Sequence, residues 1–274
     1  MGVLGAVLSL VMLATSIVSS APASSASVCR THPTGGVVNR YRGLDAYSIS
    51  VPDDLPRGRP VPLALMLHGL GSGGQAFAGR TGWAPFAAEH GVIVAFPSAP
   101  GRTWIRTKGS PDVAFIRRVV ADIRTTECVD PHRIYVGGVS DGGFFASRLA
   151  CDAADLVAAV AVVGGGDPSV GPAGGGCAPS EPVGVSFFHS TTDRFVSMST
   201  AKKGRDAWVG RLRCGRTPLV ERAPFGPLER FRGCTGRVEV MWRVYTGAPH
   251  AWPKGELQAD LLDRMWRFFR ATPN

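Results

Sequence analysis

Hydrophobic residues in this chain fall into two kinds of run. Short, continuous apolar stretches bounded by glycine, proline or polar turns occupy 62–67, 91–96, 133–139, 156–163, 183–189 and 238–245. Each has the length and composition of a strand covered on both faces. Between them lie segments of helical period. The stretch 112–126 puts Val113, Ile116, Val119, Val120 and Ile123 on one face, with Arg117, Arg118 and Arg124 elsewhere. A second helix runs through Phe144, Ala146 and Leu149, and a third covers 256–270. Strand and helix in repeated alternation predict an α/β fold, a mostly parallel sheet with helices on both faces, in a single domain. That domain is expected over 51–274, preceded at 24–50 by an N-terminal extension and a first strand region. A chain of 274 residues with 45% apolar content can bury one core of this size.

The strand 133–139 ends in Gly138-Val139-Ser140-Asp141-Gly142, directly before a helix. This G-x-S-x-G turn reads as a nucleophile elbow. A strand reverses sharply into a helix, the serine hydroxyl is left exposed at the apex, and the flanking glycines let the backbones pass. The helix N-terminus then points its N–H groups toward developing negative charge.

If that reading holds, the remaining parts of a serine hydrolase follow in the order acid, then histidine. Upstream, the strand 62–67 ends in His68-Gly69-Leu70-Gly71, where the N–H of Leu70 would join that of Asp141 as an oxyanion hole. Gly69, Gly71 and Gly74 also fit a dinucleotide-binding G-x-G-x-x-G. The next strand ends in Pro97-Ser98, without the carboxylate that such a site needs. The acid is expected at Asp193, on the turn after 183–189. Asp167, after Gly164-Gly165-Gly166, is its rival at the same sheet edge. The base is expected at His250, between the strand 238–245 and the last helix. His68 and His189 are read as braces near the site, His32, His90 and His132 as surface residues. No histidine pair has metal-ligand spacing and no cofactor is implied.

Several segments together resemble the secreted polyhydroxybutyrate depolymerase, feruloyl esterase and acetylxylan esterase family of α/β-hydrolases, including its bacterial lipoprotein-type branch. They are Leu65-Met66-Leu67-His68-Gly69, Thr81-Gly82-Trp83, the run Asp112 to Ile116, the run Asp130 to Val136, the elbow with Leu149-Ala150-Cys151, the turn His189 to Asp193, and His250-Ala251-Trp252-Pro253. The resemblance covers the chain from about Val51 onward. It implies Ser140 as nucleophile, Asp193 as acid and His250 as base, and weakens the case for Asp167. Two departures stand out: Ser190 where family members usually have glycine, and Gly247-Ala248-Pro249 in place of a glycine-rich turn before the histidine.

Outside the motifs, residues 3–18 are apolar and Ala21-Pro22-Ala23 offers a small-residue cleavage site, so 1–23 is expected to be an export signal. No transmembrane span is expected in the mature chain. Six cysteines in an exported chain favour disulfides. Cys214 with Cys234 is the first pairing expected, then Cys128 with Cys151 across the elbow, leaving Cys29 with Cys177. Cys29 is also the one position for a lipid anchor, although Ala26-Ser27-Val28 lacks the residues expected before a lipidated cysteine. The formal net charge of +9 is carried mainly by arginine and scattered along the chain. It is read as solubility, with attraction to acidic polymers as the functional alternative, and nothing marks a nucleic-acid partner. Trp252, Trp104 and His68 are the candidates to line a substrate pocket; packing of the loop against the core is the other reading for Trp252 and the favoured one for Trp104.

The sequence therefore predicts a secreted serine carboxylesterase working through an acyl-enzyme. Its expected substrates are feruloyl or acetyl esters of plant polysaccharide, with polyhydroxyalkanoate as the alternative polymer. Acyl transfer to a cell-envelope sugar and non-catalytic wall binding are the readings from other classes. Oligomeric state is left open. N-terminal sequencing of protein recovered from culture medium is expected to read from near Ser24; an intact Met1 would overturn the export reading.

Overall fold

The structure is a computed structural model that describes residues 1–2, 29–42, 45–170 and 174–272. The expected export signal and its cleavage point fall on residues 3–28, outside the described residues. In chain order the strands are β1 (Val37–Arg42), β2 (Asp45–Ser50), β3 (Val61–Leu67), β4 (Ile93–Pro97), β5 (Val129–Val139), β6 (Ala159–Val163), β7 (Gly184–Ser190), β8 (Leu219–Ala223), β9 (Gly226–Phe231) and β10 (Val240–Tyr245). The helices are α1 (Gly74–Thr81), α2 (Trp83–His90), α3 (Pro111–Thr126), α4 (Asp141–Asp152), α5 (Met198–Arg211) and α6 (Gly255–Ala271).

All ten strands form one sheet in the order β1-β2-β4-β3-β5-β6-β7-β10-β9-β8. From β4 to β10 every neighbouring pair is parallel, and antiparallel strands extend both edges. The parallel part is covered twice. One face packs Val113, Ile116, Val119 and Ile123 of α3, Phe145 and Leu149 of α4, and Trp208 of α5 against it. The other receives Phe77 of α1, Trp83 of α2 and the row Leu261, Leu262, Met265, Trp266, Phe268 and Phe269 of α6. This double cover is why β3, β4, β6 and β7 are buried along their whole length. Each large aliphatic or aromatic side chain so buried contributes about 1.5–3 kcal/mol of transfer free energy. The helix read at 112–126 is α3; its start is set by Pro111 at the first turn and by Ser110, whose hydroxyl accepts from Asp112 N–H (3.1 Å). Among the described residues no helix is long and apolar enough to cross a membrane.

The fold adds elements with weak sequence signals. The helices α1 and α2 each span only 8 residues. The Pro- and Arg-rich stretch before Cys234 is the hairpin β8–β9, whose turn holds Phe225 at φ 66° and Gly226 at φ 136°.

Cys214 and Cys234 are bonded, as expected. The other two pairings are corrected: Cys29 bonds Cys128, and Cys151 bonds Cys177, each with Cα atoms 5.1 Å apart. Cys128 lies where β5 enters the sheet, whereas Cys151 is at the far end of the overlying α4. Those two cysteines flank the elbow in sequence but belong to different layers, and a disulfide needs Cα atoms within about 7 Å. With its sulfur bonded to Cys128, Cys29 is not free to carry a lipid anchor.

Non-reducing peptide mapping is expected to recover the linkages 29–128, 151–177 and 214–234. The Cys29–Cys128 bond closes a separation of 99 residues. Replacing both its cysteines by alanine is expected to lower stability by roughly 2–5 kcal/mol in denaturant titrations; no change would mean that this bond does not form.

Candidate active site

The elbow between β5 and α4 is built by two glycines with different duties. A Cβ on Gly138 would lie 2.2 Å from the Gly142 carbonyl oxygen, so the strand passes directly under its own returning helix. A Cβ on Gly142 would meet the Leu67 and His68 oxygens at 2.4 and 2.5 Å, so α4 starts against the end of β3. Ser140 sits between them at φ 54°, ψ −116°, a conformation that a side-chain-bearing residue rarely adopts. The Ser140 N–H donating to Val163 O (2.8 Å) and Phe144 N–H donating to Ser140 O (3.0 Å) hold it there.

Across from the serine, His250 Nε2 accepts from Ser140 Oγ (2.9 Å), and His250 Nδ1 donates to Asp193 Oδ2 (2.6 Å). The other oxygen, Asp193 Oδ1, accepts from the N–H groups of Phe195 and Val196, both at 2.9 Å. Burial opposes ionisation of Asp193, but the hydrogen bonds from His250, Val196 and Phe195 outweigh it and hold the carboxyl below its ordinary value of 3.8. Its charge therefore favours the folded state throughout the neutral range, and that contribution fades only as pH drops below 3.8.

The loops bearing Asp193 and His250 are tied together by hydroxyls. Ser190 Oγ and Thr192 Oγ1 both donate to Ala248 O, and Gly247 N–H donates to Thr191 Oγ1 (3.2 Å). Ser190, where glycine is usual in the resembling family, thus acts as a clamp. A third loop, missed in the sequence, closes on the pair: a Cβ on Gly164 would lie 3.3 Å from His250 Nδ1 and 3.4 Å from Asp193 Oδ2. Its signal was the run Gly164-Gly165-Gly166 after a buried strand.

Asp167 stands apart. Its carboxylate pairs with Arg211 (2.9 Å) and accepts from Ser169 N–H (2.8 Å). The Leu70 and Asp141 amides make no turn, loop or capping hydrogen bond among the described residues. The Gly69–Leu70 turn runs beside the serine, since a Cβ on Gly69 would lie 3.6 Å from Ser140 Cβ. The Asp141 side chain faces away, accepting from Trp104 N–H (2.8 Å) and Thr103 Oγ1 (3.1 Å). The glycine that suggested a nucleotide turn has a packing cause, because a Cβ on Gly74 would strike Phe96 O at 1.9 Å.

Ser140 and His250 open into a cavity of about 1000 Å³ whose walls include Leu70, Phe77, Phe195 and Trp252. Trp252 meets Phe77 edge-on at 5.4 Å and donates Nε1–H to Thr81 O (3.0 Å), so it serves as both wall and packing. Trp104 and His68 do not line this cavity, and their candidacy as pocket residues is corrected in favour of packing and bracing. Trp104 is buried, stacks on Phe145 at 4.8 Å and donates to His68 O (2.9 Å); it borders a separate cavity and not the one at Ser140. His68 is fully buried, with Nδ1 donating to Gly69 O (2.8 Å) and Nε2 accepting from Ala99 N–H (3.0 Å). Burial lowers its pKa, which keeps it a neutral brace under the turn. His189 is also buried and driven toward neutrality by burial; it stacks on Trp242 at 6.1 Å. Phe195, 82% exposed and 5.1 Å from the His250 ring, was not foreseen, although it lies only two residues past Asp193.

A parallel sheet of this order, with a strained serine after β5 and an acid and a histidine after β7 and β10, has the architecture of the α/β-hydrolases. No family model matches the chain. It is nevertheless 26% identical to feruloyl esterase D of Neurospora crassa, over 95% of each chain. It is also 26% identical to a probable feruloyl esterase C of Aspergillus niger, over 95% of this chain and 97% of the relative. Among solved structures it is similar to an acetyl xylan esterase from Aspergillus awamori, with a TM-score of 0.69 and 17% identity, covering 86% of this chain and 99% of the other. A feruloyl esterase module from Clostridium thermocellum, complexed with sinapinate, matches with a TM-score of 0.64 at 14% identity, over 89% and 92% of the two chains. The chain has the α/β-hydrolase fold, and the relatives it resembles over most of its length include feruloyl esterases.

Asp193→Asn is expected to lower kcat by about a thousandfold or more, because it removes the anion that orients and stabilises the histidine. Asp167→Asn is expected to leave kcat near the wild-type value. Steady-state kinetics on a p-nitrophenyl ester checks both; the reverse ranking would move the acid to Asp167.

Proposed function

We propose that this protein is a secreted serine carboxylesterase that hydrolyses feruloyl or acetyl esters of plant polysaccharide. The observation that carries the reading is the continuous chain from Ser140 Oγ through His250 to Asp193, at 2.9 and 2.6 Å. A serine hydroxyl is hardly ionised at neutral pH, so His250 Nε2 takes its proton as Oγ attacks the ester carbonyl. Asp193 fixes the tautomer and stabilises the imidazolium. The amides of Leu70 and Asp141 receive the oxyanion. The tetrahedral intermediate collapses as His250 returns the proton to the departing alcohol, leaving an acyl-Ser140. Water, activated by the same histidine, then attacks the acyl carbonyl and releases the acid. Homology to feruloyl esterases supports the substrate class, and the wide cavity with exposed Leu70 and Phe195 at its rim suits an ester held on a polymer. The disulfides support export to an oxidising compartment.

The test compares wild type with Ser140→Ala on p-nitrophenyl acetate and methyl ferulate, then on feruloylated arabinoxylan and a polyhydroxybutyrate film. Wild type is expected to cleave the small esters and arabinoxylan. The variant should lose on the order of 10³-fold or more in kcat. Activity on the film alone would move the substrate to polyhydroxyalkanoates. Equal inactivity of both proteins on every ester would reject the esterase reading.

A further inference from the structure

Four arginines outside the cavity at Ser140 each face a carboxylate. Arg117 meets Asp155 at 2.6 Å, Arg133 meets Asp130 at 2.6 Å, Arg211 meets Asp167 at 2.9 Å and Arg243 meets Asp260 at 3.0 Å. The cavity at Ser140 contrasts with these four pairs. Arg80, Arg102 and Lys254 all line it, and among the described residues no aspartate or glutamate does. None of the three forms an ion pair among the described residues. Arg80 donates to Ser72 Oγ (2.9 Å) and to Ala76 O (3.1 Å), and Arg102 donates to Gly71 O. These neutral acceptors hold the guanidinium groups in place while leaving their charge uncompensated. Lys254 makes no hydrogen bond among the described residues, and all three side chains are exposed to the space that substrate would fill.

Positive charges gathered in a concave site with apolar walls raise the local concentration of anions. Arginine in particular offers a planar fork that matches a carboxylate. Attack on a neutral ester needs no such field beyond the oxyanion donors, so the lining charge is available to another part of the substrate. We propose that this cavity selects esters that also carry a carboxylate, and that Arg80, Arg102 and Lys254 receive that carboxylate. This rests on the esterase reading and narrows its substrate class. The shared chemistry is an anionic group beside the scissile ester. Its source is either the alcohol half, as in an acidic polysaccharide, or the acyl half, as in a half-ester of a dicarboxylic acid.

Two matched pairs of esters separate the sources. The first, 4-nitrophenyl hydrogen succinate against 4-nitrophenyl butyrate, puts the charge on the acyl side. The second, 4-acetoxybenzoate against 4-acetoxybenzamide, puts it on the leaving-group side. Each kcat/KM is divided by that ester's own alkaline hydrolysis rate. Wild type is expected to prefer the anionic member of one pair by about three- to tenfold, the scale of a few partly exposed charge contacts. The preference should shrink in about 0.5 M NaCl and fall several-fold in Lys254→Gln and in Arg80→Gln. The pair that shows it identifies the half bearing the carboxylate. No preference in either pair, or a preference that survives salt and both substitutions, overturns the proposal. Turnover of methyl ferulate beside the four esters reports separately on the esterase reading: wild type inert on all five rejects both, and wild type active on any of them without a preference for charge rejects only this one.

Discussion

The close approach of α4 to the ends of β3 and β5 is the constraint on which the rest of the structure depends. Carbonyl oxygens of Leu67 and His68 occupy the space that a side chain at Gly142 would need, and the Gly142 carbonyl occupies the space at Gly138. The helix can then begin within one residue of the strand's end, and Ser140 is forced to φ 54°. Strain of this kind costs of order 1–3 kcal/mol. It persists here because the parallel pairing of β5 with β3 and β6 and the packing of Phe145 and Leu149 beneath α4 fix the chain on both sides. The same approach sets the Gly69–Leu70 turn beside the serine. Ser140, the N-terminus of α4 and the Gly69–Leu70 turn are thereby positioned by one packing contact.

The partner groups reach the serine through sheet order. The strands β6, β7 and β10 are parallel neighbours, so their C-terminal ends open at one edge, where α/β sites gather. The pairing of Tyr245 with Ser190 at the end of β10 and β7 starts the histidine and aspartate loops side by side. The Ser190 and Thr192 hydroxyls then fasten them to one carbonyl, that of Ala248. A carboxylate held ionised by two backbone amides and an imidazole, with a neutral buried His189 behind it, gives a stable orientation without a competing charge.

Legibility in the sequence followed physical cause. Strands buried on both faces leave continuous apolar runs, which is why the parallel sheet could be read. The turns after those runs carried Ser140, Asp193 and His250, and in the structure these three form one hydrogen-bonded chain. The helix α5 was hidden because it packs partly through small residues: at Gly204 a Cβ would lie 2.6 Å from Asp167 N, so close contact replaces an apolar stripe. The hairpin β8–β9 was hidden because β8 is an exposed edge strand rich in charge. Disulfide partners and cavity walls depend on distance across layers, which spacing along the chain does not encode. Thus Cys128 lies beside Cys29 and not Cys151, and Trp104 turns inward onto Phe145.

The site divides its work between a rigid base and a variable rim. Ser140, Asp193 and His250 follow strand ends, and the turn beside Ser140 is braced by the buried His68 and Trp104. What substrate meets first is different: Leu70 at 73% exposure, Phe195 at 82%, and the exposed Arg80, Arg102 and Lys254. Side chains in such positions change without disturbing the elbow, because none of them packs into the sheet. Homology over nearly the whole chain therefore carries the chemistry of ester cleavage more firmly than it carries the identity of the ester. In this protein an apolar rim combined with an uncompensated positive lining is the feature on which the proposed choice of an anionic ester rests.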